Sequence, residues 1–392
     1  MPNAIICGGG VAGLAAAIGL ARRGWVVDLY ERSPAIREIG AGIFLKGNAL
    51  RVLESFDVLG AIRGHCVILN EARTLDAGGR ILQRRLLRDT TSIWNVKREL
   101  LIRALYERAT SLGTRVYTDS PVDAIDASGT VRVRGQTLQA ELVIAADGVN
   151  SPARHALGLD RPVRAPSSGA IRLLVPRTTS EREDAVREFW SGRLRVGICP
   201  CTPTEAFCYF IAPLSDRRGT QIPFDAEYWS AQFPKLASEG LFERAGMAVS
   251  VHHPYPLVRA HSWIKDRVAL LGDAAHALPP TLGQGAGLSL MNALLLADYV
   301  SSGTDVPHAL ADWQRSWRWV SNRTQTWSRR YDWITSEWPR SAYPLRDLVI
   351  WAIGKSRWFN GYMRIADRID APSHALLPSA YFIAPLREER TA

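Results

Sequence analysis

The sequence predicts an α/β fold. A Rossmann-like, parallel-sheet domain built from discontinuous pieces is interleaved with a mostly antiparallel β-sheet domain, and a helical C-terminal tail follows. Three observations predict it. Apolar runs at residues 4–7, 142–146 and 268–271 each lead into a glycine-bearing turn and then a helical pattern, the punctuation of strand–loop–helix units. Between the last two lie short alternating runs separated by Pro and Gly turns, as in antiparallel sheets. Beyond about residue 300, apolar residues recur at steps of three and four, the period of a helix.

The first unit is the most complete. Residues 4–7 read as a strand, Gly8-Gly9-Gly10-Val11-Ala12-Gly13 as a turn of the G-x-G-x-x-G type, residues 14–23 as an Ala-rich helix, and residues 26–30 as a second strand ending at Glu31 and Arg32. Each glycine answers a physical need, with a tight turn at Gly8, backbone approach to a pyrophosphate at Gly10, and close helix–strand packing at Gly13. Glu31 stands where a ribose-binding acid is expected. An ordinary βαβ turn is the alternative reading.

The second strand, residues 142–146, runs into Asp147-Gly148-Val149-Asn150-Ser151-Pro152-Ala153-Arg154, where Asp-Gly marks a turn and Ser-Pro a helix start. The third, residues 268–271, runs into Gly272-Asp273-Ala274-Ala275-His276, then Pro279-Pro280 and Gln284-Gly285-Ala286-Gly287 ahead of an apolar helix. Backbone N–H groups at that helix start would face something electron-rich. A carboxylate just upstream suits a polyol hydroxyl.

In this order and spacing, the three motifs resemble the group A flavoprotein aromatic hydroxylases, the p-hydroxybenzoate hydroxylase-like FAD monooxygenases. The resemblance extends to about residue 300 and looks closest to the pyridine-ring oxygenase and salicylate hydroxylase branch. It implies FAD as cofactor, NADH or NADPH as co-substrate and O2 as oxidant. The implied pyrophosphate end comprises Gly8, Gly10, Ala12, Gly13, Glu31, Arg32, Arg98 and Val122, with Asp147 and Arg154 near the pyrophosphate. The ribityl chain falls to Gly272 and Asp273. The ring end comprises Gly42 and Ile43, with Asn48 beyond, and Pro280, Gly285, Ala286 and Gly287. Gly40 to Gly42 resemble the loop past which the flavin ring swings. The implied cycle is reduction of FAD, addition of O2 at flavin C4a and transfer of one oxygen, from a C4a-hydroperoxyflavin, to an electron-rich ring.

The organisation follows from the motifs. Residues 1–65, 96–160 and 265–300 would form the FAD domain, 66–95 and 161–264 the substrate-binding sheet, and 301–392 the helical region. Strands are expected at 169–175, 186–190, 194–199, 206–212 and 248–253. From Trp313 to Ile334 aromatics alternate with arginines, but Trp313, Trp317, Val320, Thr324, Trp327, Tyr331 and Ile334 form one helical stripe, so core packing of an amphipathic helix is expected rather than a nucleic-acid surface.

Composition accords with this. The 392 residues are 47% hydrophobic and carry a net charge of +10, enough apolar content for a sizeable core. The basic residues are spread rather than clustered, so they would attract a nicotinamide donor and an acidic substrate without implying nucleic acid. Five cysteines show no C-x-x-C spacing, so neither a disulfide framework nor a zinc site is indicated and no metal is expected. No signal peptide or membrane-length apolar run is visible, and a cytoplasmic location is expected. The Trp-rich tail could bury against a second copy, making a homodimer possible.

For substrate, alternation along residues 192–198 places Arg193 and Arg195 on one strand face. Arg195 is the candidate carboxylate-binding residue of the pocket, by bidentate pairing; an exposed edge arginine is the alternative. Tyr209 and Arg172 are candidates of the same kind, although Phe207 stands where the branch would place a tyrosine. Pro280 would wall the reactive edge. His276 is the one histidine inside a motif, and a structural role is expected of it. The expected activity is hydroxylation of a phenol or pyridinol, carboxylated. Pyridine-ring opening, a non-oxygenating flavin reductase or dehydrogenase, and a basic scaffold with a vestigial nucleotide site are the alternatives.

Overall fold

A computed structural model describes residues 1–36, 41–87, 93–163, 165–178 and 184–343, with isolated positions at 181, 345, 346, 348, 349, 352 and 366. Gly40 and most residues beyond 343 lie outside the described residues.

The three motif strands lie side by side. In a six-stranded sheet the order is Ile264–Lys265, Val268–Leu270, Leu142–Ala145, Asn3–Cys7, Val26–Tyr30 and Arg115–Tyr117. All pairings are parallel except that of the first two strands. Ala4 lies opposite Leu142, and Val143 opposite Val268, so the strands end together and their glycine-bearing turns emerge at the same edge. That edge is where open α/β sheets bind ligands. The helix Val11–Ala21 packs on Arg98–Ser111 and on Gly285–Val300. Ile6, Leu14, Ile18, Leu29, Ile144, Leu270 and Leu290 are buried between these layers, each burial contributing roughly 1.5–3 kcal/mol.

A seven-stranded sheet has the order Val251–Pro254, Ser168–Pro176, Glu205–Pro213, Leu194–Pro200, Ala185–Ser191, Glu71–Asp76 and Ile81–Leu86. Its pairings are antiparallel save one, between Ala185–Ser191 and Glu71–Asp76. All five strands expected between 169 and 253 are present. Period-two alternation gives the sheet two different faces. Ile171, Val196, Phe189 and Phe210 pack under Trp229, Phe233 and Phe242, carried by short helices within 226–246 and, for Phe233, by the junction between two of them. Those helices, of five to seven residues, are too short to show a helical period in sequence. The other face carries Arg172, Glu188, Arg195, Phe207 and Tyr209.

Stretch 66–95 is divided. Ile93–Lys97 pairs with Cys66–Leu69 on one side and Gly42–Leu45 on the other in a three-stranded sheet, whereas Glu71–Asp76 joins the large one. The helix Val306–Ser336 is 31 residues long, and here the amphipathic expectation needs correction. Trp313, Val320 and Thr324 are buried, but Trp317, Trp327, Tyr331 and Ile334 are only half-buried. The deepest line of its second half is polar: Ser321, Gln325, Ser328, Asp332 and Ser336. The cause is what it covers, a loop and a sheet face rich in backbone carbonyls and charged groups.

Candidate active site

The first loop is shaped by close approach. Gly8 has φ +110°, and a Cβ there would lie 2.3 Å from the Ala146 carbonyl oxygen; one at Gly13 would lie 1.9 Å from the Gly8 oxygen. Nothing lies within 4 Å of a Cβ position on Gly10, which is also the N-cap of Val11–Ala21. No side chain caps that helix and no acid sits in its first turn. Its positive end therefore looks onto open space. The Glu31 carboxylate accepts the Gly9 N–H at 2.7 Å and the Ser33 N–H at 2.8 Å, fixing an acid beside the loop, with Arg32 exposed next to it. Val122 is half-buried at the start of the strand Val122–Ile125.

The other two turns join this loop. Gly272 has φ +63°, and a Cβ on it would meet that of Ala12 at 2.6 Å. Asp147 accepts the Ala153 N–H through Oδ2 at 3.1 Å, while its Oδ1 is buried without a hydrogen-bond partner. Burial pushes this carboxyl up from its ordinary value. Arg154 donates to the carbonyls of Ala274 (2.9 Å) and Val149 (3.0 Å) and to Asp160 (2.6 Å), so it ties the second turn to the third. Asp273 opens onto the cleft. Loss of solvation among its surroundings pushes its carboxyl up, opposed by Arg98 and Arg172. Arg98 is the first residue of Arg98–Ser111; burial and then Arg172 lower its pKa, and Asp273 raises it. One carboxylate thus faces two guanidinium groups.

At the far end, Gly285, Ala286 and Gly287 are the first three residues of Gly285–Val300, whose N-cap Gln284 makes no side-chain cap. Pro280 starts a short 3-10 turn and is exposed. The loop before it is held by the polar face of the long helix. Gln325 donates to the carbonyls of Val258 (2.6 Å) and Ala277 (2.9 Å), Ser328 donates to the Pro279 carbonyl, and Thr281 donates to the Ser328 carbonyl at 2.9 Å. Gly42 and Ile43 begin the strand facing this loop. A Cβ on Gly42 would sit 2.9 Å from that of Phe207, so the strand rests directly on the large sheet.

The sheet face opposite carries an aromatic wall that grades into a polar cluster. Phe207 lies 6.3 Å from Phe44 and 5.8 Å from Tyr209, ring centre to ring centre. Tyr209 donates to Glu188 at 2.5 Å, and Trp190 donates to the same carboxylate at 2.6 Å. Burial, then Glu188, pushes the Tyr209 hydroxyl well up, so it stays protonated. Arg195 is 2% exposed. It lies on the expected face, but it is not an edge arginine, and its charge is met inside the protein: Nη2 is 3.4 Å from Asp332 Oδ1 and 3.2 Å from Ser336 Oγ. Burial lowers its pKa, yet Glu188 and Asp332 more than offset that. Its Nε is buried without a partner. Arg172 lies across the strand pair from Tyr209, nearer Asp273 and Arg98.

His276 is structural. Nε2 accepts from Asn292 at 3.0 Å, the ring packs 5.1 Å from that of Trp263, and burial lowers its pKa from 6.5 to about 4. Asn292 also donates to Ser321 at 3.0 Å. Sequence reasoning missed Glu188, Ser328 and Asp332. Glu188 alternates with Trp190 on a predicted strand, a usable signal. The other two are polar residues of a helix read through its apolar stripe, and only the spacing 328, 332, 336 hints at a second face.

Among the described residues no cluster has metal-ligating character and no helix is long and apolar enough to cross a membrane. Residues 2–303 match the FAD binding domain family model. Over 378 residues the chain is 35% identical to a putative 2-heptyl-3-hydroxy-4(1H)-quinolone synthase of Rhodococcus erythropolis, covering 93% of this chain and 96% of that one. A 2-heptyl-3-hydroxy-4(1H)-quinolone synthase of Mycobacteroides abscessus is 36% identical over 367 residues, 91% and 95% of the two chains. Among solved structures, the tetrameric form of 2-methyl-3-hydroxypyridine-5-carboxylic acid oxygenase superposes with a TM-score of 0.83 at 31% identity, over 95% of this chain and 97% of that one.

Proposed function

Because the chain belongs to the FAD binding domain family and is an NAD(P)H-dependent FAD monooxygenase, we propose that it hydroxylates an uncharged nitrogen heteroaromatic ring, at C3 of a 4(1H)-quinolone. The observation that carries this is the Arg195 side chain, whose charge is already met by Asp332 beneath the aromatic wall of Phe44, Phe207 and Tyr209. A flat ring suits the wall. A neutral carbonyl or ring N–H suits the polar cluster better than the carboxylate expected from sequence. The similarity to two quinolone synthases points the same way.

In this reading the FAD pyrophosphate lies at Gly10 against Gly8, Ala12 and Gly13, with Glu31 and Arg32 at the adenosine ribose. Arg98, Val122 and Asp147 line the same stretch. Gly272 and Asp273 hold the ribityl chain, and the amides of Gly285, Ala286 and Gly287 face the flavin ring, with Pro280, Gly42 and Ile43 along its edges. The open space at Gly10, the uncapped helix starts and the unpartnered Asp147 Oδ1 fit such a group. FAD bound there, reduced by NADH or NADPH, supplies O2 activation and delivery of one oxygen atom. The protein's part is to hold the ring against Phe207 and Tyr209 and to exclude water with Phe44 and the proline loop. C3 of a 4-quinolone, β to the ring nitrogen, is the electron-rich carbon.

The test is a panel of 2-alkyl-4(1H)-quinolones, pyridinols and phenols, with and without a ring carboxylate, scored by stimulated NAD(P)H oxidation and by product mass under 18O2. An alkylquinolone yielding a product heavier by one labelled oxygen is expected. Stimulation confined to carboxylated rings, or a ring-opened product, would overturn the reading. Self-association through the aromatic C-terminal region belongs to the same proposal, since the similar pyridine-carboxylate oxygenase is described as tetrameric. Light scattering that returns a monomer would discard it.

A further inference from the structure

The long helix Val306–Ser336 touches the site twice on one line of side chains. Ser328 donates to the Pro279 carbonyl, beside Pro280, and one turn on Asp332 meets Arg195. The line therefore runs from the proline loop to the floor of the aromatic wall. Asp332 is buried, accepts from Ser168 at 3.1 Å, and its carboxyl is pushed up by burial and drawn down by Arg195. Glu188 lies in the same cluster, satisfied by Tyr209 and Trp190. Asp332 pairs with the Arg195 guanidinium and Glu188 acts on it through its charge, so a third carboxylate beside Arg195 would meet net negative charge, with Arg172 standing off toward Asp273 and Arg98. Juxtaposed like charges at a desolvated site disfavour binding strongly. A neutral carbonyl meets no such cost.

We propose that Asp332 is the specificity-determining residue of this pocket: by occupying Arg195 from the helix side, it makes the pocket select uncharged rings and reject carboxylated ones. Specificity of this kind is built against the wrong ligand as well as toward the right one. The proposal rests on the substrate reading above, since it concerns the same pocket.

The test measures binding apart from turnover. The purified FAD-loaded protein is titrated with a 2-alkyl-4(1H)-quinolone and with the same ring bearing a carboxylate, and the flavin absorbance change gives a Kd for each. For the unsubstituted protein the neutral ring is expected to bind tighter. In Asp332→Asn the ratio of the two Kd values should move about tenfold or more toward the carboxylated ring, and further in Glu188→Gln/Asp332→Asn. In Arg195→Gln/Asp332→Asn, where the cation is gone too, the gain should vanish. An unchanged ratio in Asp332→Asn, with full flavin content and an unaltered melting curve, overturns the proposal. If Asp332→Asn loses flavin or does not fold, the Glu188→Gln single variant decides: an unchanged ratio there also overturns it. If neither ring perturbs the flavin of the unsubstituted protein, the quinolone reading itself has failed, a result distinct from an unchanged ratio.

Discussion

The ring of Tyr209 lies flat across Gly197. The two residues face each other on neighbouring strands, and a Cβ at Gly197 would fall 2.0 Å from the ring. The absent side chain makes the berth that lets the Tyr209 hydroxyl reach Glu188. Gly197→Ala should therefore lift the ring, break the 2.5 Å bond to Glu188 and lower kcat/KM by roughly 10- to 100-fold, the scale of a small displacement near a reacting centre. Flavin content should be unchanged. Unaltered kinetics would show that the ring's berth is irrelevant to turnover.

Asp273 should govern flavin retention. Its carboxylate opens onto the cleft opposite Arg98 and Arg172, and losing a charge-assisted hydrogen bond costs on the order of 1.5–3 kcal/mol. Asp273→Ala is expected to weaken FAD binding by about tenfold or more, read as flavin released on dialysis. Full retention would refute the ribityl assignment.

Ser328 should govern coupling. Its hydroxyl satisfies the Pro279 carbonyl at a buried position, and removing it leaves that acceptor unpaired, a cost of about 1–3 kcal/mol. With the proline loop loosened, Ser328→Ala should oxidise NAD(P)H while forming less hydroxylated product and more hydrogen peroxide. A product-to-NAD(P)H ratio equal to that of the unsubstituted protein would count against the clamp.

His276 sets an acid limit on stability. Its pKa in the folded protein is about 4, against 6.5 when unperturbed. Between those values the unfolded chain binds a proton that the folded chain refuses. The contribution is thus fully present above about pH 6.5 and is lost as pH falls toward 4, on the order of 3 kcal/mol in all. Denaturant midpoints measured from pH 7 to 4 should fall less steeply in His276→Gln. The same burial keeps His276 out of the pH–rate profile, which should retain its shape in that variant.

Much of the edge where the glycine turns meet was legible because its signals are local. Gly8, Gly10 and Gly13 sit within one turn, and each is required by a contact or a space that the adjacent strand and helix create. The strands of the large sheet were equally readable from alternation. The short helices within 226–246 and the polar face of Val306–Ser336 were not, since neither displays an apolar period of its own.

The sequence alone determined the parallel sheet, the three turns that meet at its edge and the flavoprotein resemblance, because strand, glycine turn and helix start are properties of neighbouring residues. It also placed Arg195 on the correct strand face. What Arg195 does was decided by tertiary structure, since its partner Asp332 is 137 residues away in the chain. A buried charge takes its meaning from the charges packed against it. No local pattern carries that information; the docking of one helix over one sheet face supplies it.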